Sequence, residues 1–302
     1  MKIQKYGAID IGSNAVRLLI TTVIERPEKE TLFKKTSLVR VPIRLGEDVF
    51  VNKKISAKNT NRLIDTINAF KLLMNSHKVA RFRACATSAM REAKNGREVA
   101  KTIEETTGIA IHIIDGNDEA SLIASTHINN IILDEKTYLY VDVGGGSTEF
   151  TIYSKGEVVT SKSFKIGTVR LLNDIVERSV WEEMENWIKA ETKHYSDISL
   201  IGSGGNINSI FKQSGKPSGK PLTYHYLASY YESIQNYSYE DRVVELDMNP
   251  DRADVIIPAT KIYLSAMKWS RAKAIYVPKI GLSDGIVKEL YYEQRAKKMK
   301  VK

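Results

Sequence analysis

The sequence predicts a mixed α/β protein made of two related lobes. Apolar runs typical of strands alternate with segments whose apolar residues recur at helical spacing, which is the pattern of α/β proteins. A strand–turn–strand pattern occurs twice, once at the N-terminus and once near the middle of the chain. The length of 302 residues is enough for two domains, each with its own core.

The two strand–turn–strand segments align without a gap. The first is AIDIGSNAVRLLI (8–20), and the second is YVDVGGGSTEFTI (140–152). The alignment places Asp10 on Asp142 and keeps a polar, glycine-containing turn between apolar runs, as in a β-hairpin. We therefore expect two lobes that each present such a turn to a common cleft.

Glycine turns of this kind favour phosphate binding. Without Cβ atoms, several backbone N–H groups can point into one concavity, and such a concavity binds anions. An aspartate just before the turn is placed to hold hydrated Mg²⁺, whose other ligands are waters and phosphate oxygens. The alternative is a pair of ordinary hairpin turns in which glycine only provides a positive φ.

Composition narrows the function classes. Lys and Arg total 45 against 36 Asp and Glu, so the net charge is +9, which suits a polyanionic partner and equally a solvated surface that only aids solubility. Cys85 is the only cysteine, which excludes an intramolecular disulfide and a cysteine-rich zinc site. No apolar run reaches membrane-spanning length and no signal peptide is visible, so we expect a cytoplasmic protein with no membrane partner. No recognition helix or stacking motif suggests a nucleic-acid partner.

Eight segments, in order along the chain, resemble the exopolyphosphatase/guanosine pentaphosphatase (Ppx/GppA) family of the actin, hexokinase and heat-shock-chaperone ATPase superfamily. One lone motif would be weak, but eight in order make the resemblance specific. The segments are AIDIGSNAVRLLI (8–20), IRLGEDVF (43–50), ATSAMREAKNG (86–96), IIDGNDEASLI (113–123), VDVGGGSTEF (141–150), FKIGTVRL (164–171), IGSGGNINSI (201–210) and RADVIIPA (252–259).

The resemblance implies a fold and a domain division. It implies two actin-like (ribonuclease H-like) lobes, each with a mixed sheet flanked by helices, and an active-site cleft between them. Lobe I is expected over residues 1–124, joined by a C-terminal helix at 286–302. Lobe II is expected over residues 125–285.

The resemblance also implies an activity. We expect metal-dependent hydrolysis of the terminal phosphoanhydride of inorganic polyphosphate, with release of orthophosphate, and Mg²⁺ or another divalent cation as cofactor. Guanosine pentaphosphate, cleaved at its 5′ γ-phosphate, is the alternative substrate. A sugar or acid kinase of the same superfamily and a non-catalytic sensor of polyphosphate or alarmones also remain open. A homodimer is a further expectation.

The substrate phosphates are expected to meet the two turns and two arginines. Arg91 offers a planar, bidentate cation, although an arginine on a surface helix is the simpler reading. Arg17 follows the first turn and either touches phosphate or pairs with Glu149. The turn residues expected to bind phosphate are Gly12, Ser13, Asn14, Gly144, Gly145, Gly146 and Ser147.

The candidate carboxylates have two expected roles, one as the general base and the others as metal ligands. Matching the family motif places the general base on Glu119, where a helix begins after a strand and a turn. The alternatives are a carboxylate that only complements the helix dipole, or Asp118 as the base. Asp142 and Glu149 are the expected metal ligands, with Asp10 acting through a bound water.

The chain departs from the family pattern in three places. Ala15 stands where the family usually has serine, and Asn206-Ile207-Asn208 stands for Thr-Ile-Lys. The segment 281–285 reads GLSDG instead of Gly-Leu-Arg-Glu-Gly. Two cations are therefore absent, which bears on the choice of substrate more than on the type of reaction.

Overall fold

The computed structural model describes residues 1–124, 126 and 136–300. The chain divides into two compact units, which are described separately. Unit 1 is Met1–Thr126 with Leu282–Lys302, and unit 2 is His127–Gly281. Each unit is built on one mixed β-sheet flanked by helices, which confirms the predicted α/β fold class.

The strands coincide with the apolar and β-branched runs of the sequence. The first five belong to unit 1 and the others to unit 2. In chain order the strands of the described residues are β1 (Lys2–Ile11), β2 (Val16–Arg26), β3 (Lys29–Val41), β4 (Arg81–Ala86), β5 (Ile111–Ile113), β6 (Thr137–Val143), β7 (Thr148–Ser154), β8 (Glu157–Phe164), β9 (Ile198–Ser203), β10 (Leu222–Thr223) and β11 (Ala274–Tyr276).

The helices connect and flank these strands. Across the described part of the chain, none combines the length and the apolar character that crossing a bilayer requires. In chain order the helices are α1 (Leu45–Asn52), α2 (Ala57–Ser76), α3 (Ser88–Glu92), α4 (Gly96–Thr107), α5 (Gly116–Ala124), α6 (Thr168–Leu172), α7 (Arg178–Thr192), α8 (Gly205–Gln213), α9 (Tyr224–Ile234), α10 (Tyr239–Val244), α11 (Pro250–Ala253), α12 (Ile256–Ser270) and α13 (Leu282–Lys300).

The sheet of unit 1 has the strand order β3-β2-β1-β4-β5. The first three strands form an antiparallel meander, whereas β4 and β5 extend the sheet parallel to β1. Parallel strands end at the same edge of a sheet, and functional groups of α/β proteins gather beyond that edge. The turn after β1, helix α3 after β4 and helix α5 after β5 are therefore brought together.

The sheet of unit 2 repeats this plan, with the order β10-β11-β9-β6-β7-β8. β6, β7 and β8 form an antiparallel meander, and β9 and β11 continue the sheet parallel to β6. One face of the sheet packs its alternate residues, such as Val141, Phe150 and Leu200, in a core with helices α7 and α12. The duplicated hairpin predicted from the sequence is confirmed, because Asp10 pairs with Arg17 and Asp142 with Glu149 at equal positions.

Helix α13 completes unit 1 after the chain has passed through unit 2. The guanidinium of Arg83, on β4, donates to both carboxylate oxygens of Glu293 at 2.9 Å. The hydroxyls of Thr31 and Tyr291 lie 2.9 Å apart, and Tyr6 donates to Gln294. The helix is thus fastened along the sheet by polar contacts at several strands.

The tyrosine-rich stretch 224–239 does not form one continuous helix. It forms α9 and the start of α10, with a break between them. Ser238 starts α10 with a capping box, in which its hydroxyl accepts from the amide of Asp241 and its amide donates to the Asp241 carboxylate. This capping box begins a new helix at α10.

Cys85 provides a test of the unit 1 core. It is buried on β4, and burial raises the pKa of its thiol to about 12. At pH 8 only about one thiol in 10,000 is ionised, against about a quarter for a free cysteine. We expect a maleimide or disulfide reagent to label the native protein more than about 10³-fold more slowly than the urea-unfolded chain. Rapid labelling without denaturant would contradict the described packing.

Candidate functional site

The first turn, after β1, is held in a fixed conformation. The Gly12 amide donates to the Ala15 carbonyl at 3.1 Å, and a Cβ on Gly12 would lie 3.2 Å from that oxygen. The carbonyls of Ser13 and Asn14 accept from the amides of Gly46 and Arg44 at 2.8 and 3.0 Å. The turn is therefore tied by its carbonyl groups to the beginning of α1.

Tying the carbonyls fixes where the amides point. In a trans peptide, the C=O and the following N–H point in opposite directions. With the carbonyls of Ser13 and Asn14 bonded to the α1 side, the amides of Asn14 and Ala15 are directed away from it. Neighbouring amides that point the same way form a partial positive charge suited to an anion.

Asp10 and Arg17 form an ion pair beside this turn. They are opposite each other on β1 and β2, and an Arg17 nitrogen lies 3.1 Å from an Asp10 carboxylate oxygen. Burial raises the pKa of Asp10, and the Arg17 guanidinium opposes this effect. About a third of the Arg17 side chain remains exposed, so one cation can pair with Asp10 and still face solvent.

Arg91 and Ser88 lie on α3, at the edge where β1 and β4 end. The Ser88 and Ser13 hydroxyls are 2.8 Å apart and buried, so α3 is joined directly to the first turn. The Arg91 guanidinium donates to the Ile114 carbonyl at 2.6 Å, in the segment that leads from β5 into α5. Arg91 is therefore half-buried and positioned, unlike an arginine on a free surface helix.

The two candidate bases on α5 occupy different environments. Glu119 is buried, with 9% of its surface exposed, whereas Asp118 is exposed. The Asp118 amide donates to the Asp115 side chain at 2.8 Å, so Asp115 caps the beginning of the helix. Burial raises the pKa of Cys85, and the positive charge of Arg83 opposes this rise. The negative charges of Asp10, Glu289 and Glu119 raise the pKa further. Glu119 therefore lies near Cys85, at the end of β4.

The second turn, after β6, has the same internal bond as the first. The Gly144 amide donates to the Ser147 carbonyl at 3.0 Å, and a Cβ on Gly144 would lie 3.0 Å from that oxygen. The two turns therefore share their geometry as well as their position in the hairpin. Glycine at the first position of each turn is explained by this close approach.

The carbonyls of the three glycines are all bonded to the segment Gly167–Arg170. The Gly144 and Gly145 carbonyls accept from the amides of Thr168 and Val169 at 3.0 and 2.9 Å. The buried Arg170 side chain donates to the Gly146 carbonyl at 2.6 Å. By the same trans-peptide geometry, the amides of Gly145, Gly146 and Ser147 point away from α6.

Because Gly167 has no side chain, the segment Gly167–Arg170 can lie close to the second turn. A Cβ on Gly167 would lie 2.5 Å from the Gly146 nitrogen and closer still to the Gly145 carbonyl. The backbone of Gly167 is extended, so the absence of a side chain serves this approach and not an unusual conformation. Sequence reasoning gave no role to Gly167 and Arg170, although the segment that contains them resembled the family.

Glu149 is a buried carboxylate held by two hydroxyls. It is 3% exposed, and its Oε1 accepts from Ser147 at 2.5 Å and from Ser163 at 2.9 Å. Asp142 lies directly opposite on β6 and is only partly buried. The hairpin therefore presents two carboxylates on one face of the sheet, immediately before and after the glycine turn.

The Gly204-Gly205 turn follows β9 and lies beside Asp142. Gly204 has φ 106, and a Cβ there would be 3.3 Å from an Asp142 carboxylate oxygen. The Arg252 guanidinium covers Gly205 and donates to the Asn206 side chain at 3.2 Å. Asn206, which differs from the family pattern, thus has a hydrogen-bond partner in Arg252, and polar groups surround the turn.

The donor set suits magnesium that is bound together with phosphate. Within residues 1–124, 126 and 136–300, no group of three or more His, Cys, Asp or Glu side chains is arranged to hold a metal ion. Mg²⁺ commonly uses one or two carboxylates and completes its octahedron with waters and phosphate oxygens. Asp142 and Glu149 provide such a pair of hard oxygen ligands.

The sequence profile of the Ppx/GppA phosphatase family matches residues 24–293. A bifunctional 3-dehydroquinate synthase/phosphatase of Fusobacterium nucleatum is 31% identical over 216 residues, which are 66% of this chain and 32% of that protein. Exopolyphosphatase 1 of Mycobacterium tuberculosis is 24% identical over 304 residues, which cover 94% of this chain and 87% of that protein. The chain thus spans about a third of the first relative and most of the second.

Solved structures share the fold. An exopolyphosphatase from Cytophaga hutchinsonii has a TM-score of 0.81 and 23% identity, covering 97% of this chain and 98% of its own. The Ppx/GppA family member of Aquifex aeolicus has a TM-score of 0.76 and 23% identity, covering 97% and 99%. At this identity the likeness concerns the fold, which is the actin-like fold predicted for each lobe.

Replacing Gly167 with alanine tests the support of the second turn. The added Cβ cannot be placed without moving Gly145 and Gly146, so we expect a loss of about 1–3 kcal/mol in the free energy of unfolding. We also expect tripolyphosphate to bind at least about tenfold more weakly in calorimetric titration, because the amides are displaced.

Gly156→Ala is the matched control. Gly156 has φ 79 in the turn between β7 and β8, at the far end of β7 from Ser147. Alanine there is disfavoured by the positive φ. It should lower stability and leave tripolyphosphate affinity unchanged, and equal affinity in both variants would contradict the role of Gly167.

Proposed function

The chain belongs to the Ppx/GppA phosphatase family, and we propose that it is an exopolyphosphatase that hydrolyses the terminal phosphoanhydride of inorganic polyphosphate. The observation that carries the proposal is the pair of glycine turns whose carbonyls are tied back so that their amides are presented together. Two such turns suit a ligand with successive phosphates, and the net charge of +9 favours a polyanion. The names of the exopolyphosphatase relatives agree with this substrate.

In the proposed reaction, the main-chain amides of the turns bind phosphate. The amides of residues 14–15 and 145–147 donate to phosphate oxygens, and Arg91 adds a positive charge whose position is held by Ile114. Asp142 and Glu149, with Asp10 through a water, would hold Mg²⁺, which supplies charge neutralisation for the phosphates. Positioning and charge account for most of the catalysis of phosphoryl transfer.

Glu119 is proposed as the general base. Its buried carboxylate takes a proton from a water whose oxygen attacks the terminal phosphorus. The bond from that phosphorus to the bridging oxygen breaks, and the bridging oxygen leaves with its electron pair on the shortened polyphosphate. The products are orthophosphate and a chain one phosphate shorter.

Guanosine pentaphosphate is the second candidate substrate. It is supported by the polar enclosure of the Gly204-Gly205 turn, where Arg252 and Asn206 offer hydrogen-bonding groups. The superfamily resemblance places this turn next to the nucleoside in nucleotide-binding members. A homodimer, a cytoplasmic location and the domain bounds 1–124 and 125–285 remain predictions.

Substrate comparison tests the proposal. Purified protein with Mg²⁺ is incubated with polyphosphates of defined length, with guanosine pentaphosphate, and with ATP plus small acceptors. We expect orthophosphate release with the highest kcat/KM on polyphosphate. A higher kcat/KM on guanosine pentaphosphate would favour the alternative, transfer to an acceptor would indicate a kinase, and tight salt-sensitive binding without turnover would indicate a sensor.

Substitution of the base tests the mechanism. Glu119→Gln keeps the shape and removes the proton acceptor, so we expect kcat on polyphosphate to fall about 10²–10⁴-fold. Asp118→Asn is the control, because Asp118 is adjacent in sequence but exposed, and it should keep nearly full activity. Full activity in Glu119→Gln would remove this residue from its role.

A further inference from the structure

Helix α5, which carries Glu119, depends on tertiary contacts for its position. It has nine residues, and isolated helices of this length are marginal in water. Ala120, Leu122 and Ile123 are buried, and α5 packs against the C-terminal helix α13. The position of Glu119 is therefore set by what holds α5.

Gly285 allows α13 to touch the backbone of α5. A Cβ on Gly285 would lie 2.5 Å from the Leu122 carbonyl carbon and closer still to its oxygen. Glycine disfavours a helix relative to alanine, so its presence in the first turns of α13 is explained by this approach. Leu122 is one helical turn beyond Glu119, so a displacement at Leu122 is passed to Glu119 through the helix backbone.

Lys288 contacts the chain just beyond the same C-terminal end of α5. Its ammonium donates to the carbonyl of Thr126, two residues after the last residue of α5. Thr126 is bonded back to the Ile123 carbonyl through its amide and its hydroxyl at 3.0 and 2.6 Å. A cation at a helix C-terminus satisfies carbonyls that lack helical partners and complements the helix dipole. The ammonium also lies 5.4 Å from the centre of the Phe33 ring.

Helix α13 is a firm support for these contacts. Asp284 pairs with Lys35 of β3 at 2.9 Å, and Glu293 forms the bidentate pair with Arg83 of β4. Gly285 and Lys288 lie between these two attachments to the sheet. The sheet strand β1, which leads into the first turn, contacts the same helix.

We infer that α13 sets the position of the general base, with Gly285 and Lys288 as positioning residues that hold the C-terminal end of α5. This inference rests on the proposed role of Glu119. The contacts of these two residues are with α5, Thr126 and Phe33, so we expect them to act on the alignment of the attacking water and to leave phosphate binding unaltered.

The test compares Gly285→Ala and Lys288→Met in two backgrounds, the native sequence and Glu119→Gln. Restoring van der Waals contact at Gly285→Ala requires α5 to move by about 1 Å, and a shift of this size costs up to about 10²-fold in rate. We expect kcat on polyphosphate to fall about 10- to 100-fold in the native background, with KM changed less than about twofold. In the Glu119→Gln background, neither substitution should lower kcat by more than about twofold further.

Two controls separate positioning from general damage. Lys288→Arg keeps a donor for the Thr126 carbonyl and should recover most of kcat. Lys297→Met removes an exposed lysine from the same helix and should leave kcat and KM unchanged. Thermal unfolding of every variant establishes that it is folded, and Lys288→Met carries the comparison alone if Gly285→Ala does not fold.

The outcomes distinguish this inference from the proposed function. Equal factors of loss in both backgrounds, or a loss confined to KM, would overturn the positioning role while the function stands. Full activity of Glu119→Gln would instead overturn the proposed base. A loss of kcat that disappears in the Glu119→Gln background supports both.

Discussion

The candidate phosphate site depends on hydrogen bonds that hold the main-chain carbonyls of each glycine turn on one side. At the first turn these bonds come from the start of α1, and at the second they come from Gly167–Arg170. Since each trans peptide directs its N–H away from its C=O, the supporting segments determine where the amides point. The anion binding proposed for each turn therefore depends on the surrounding backbone as much as on the glycines themselves.

Sheet topology brings the candidate functional side chains of unit 1 to the first turn. Because β1, β4 and β5 are parallel, Asp10, Arg91 and Glu119 all come from the same edge of one sheet, although they lie far apart in sequence. In unit 2, antiparallel pairing in the hairpin places Asp142 opposite Glu149. The proposed base in unit 1 and the proposed metal ligands Asp142 and Glu149 in unit 2 thus come from two sheets with the same arrangement of strands.

Burial separates groups that look equivalent in sequence. Asp118 and Glu119 are adjacent carboxylates, yet one faces solvent and the other the interior, because α5 packs on α13 along one side only. Asp10 is similarly buried, and the Arg17 guanidinium next to it offsets part of the cost of keeping its carboxylate ionised. These differences in environment favour distinct chemical roles for acidic residues of the same type.

The α/β class, the duplicated hairpin and the two glycine turns can be predicted from the sequence alone, because strand periodicity and turn chemistry are local properties. The sequence also indicated the family through ordered segments, and the match over residues 24–293 agrees. Three sets of contacts are visible only in the folded chain. Arg17 pairs with Asp10, Gly167 and Arg170 support the second turn, and Gly285 and Lys288 contact Leu122 and Thr126 at the end of α5. These contacts join residues brought together by sheet pairing and helix packing, and no local pattern encodes which distant backbone a glycine must approach.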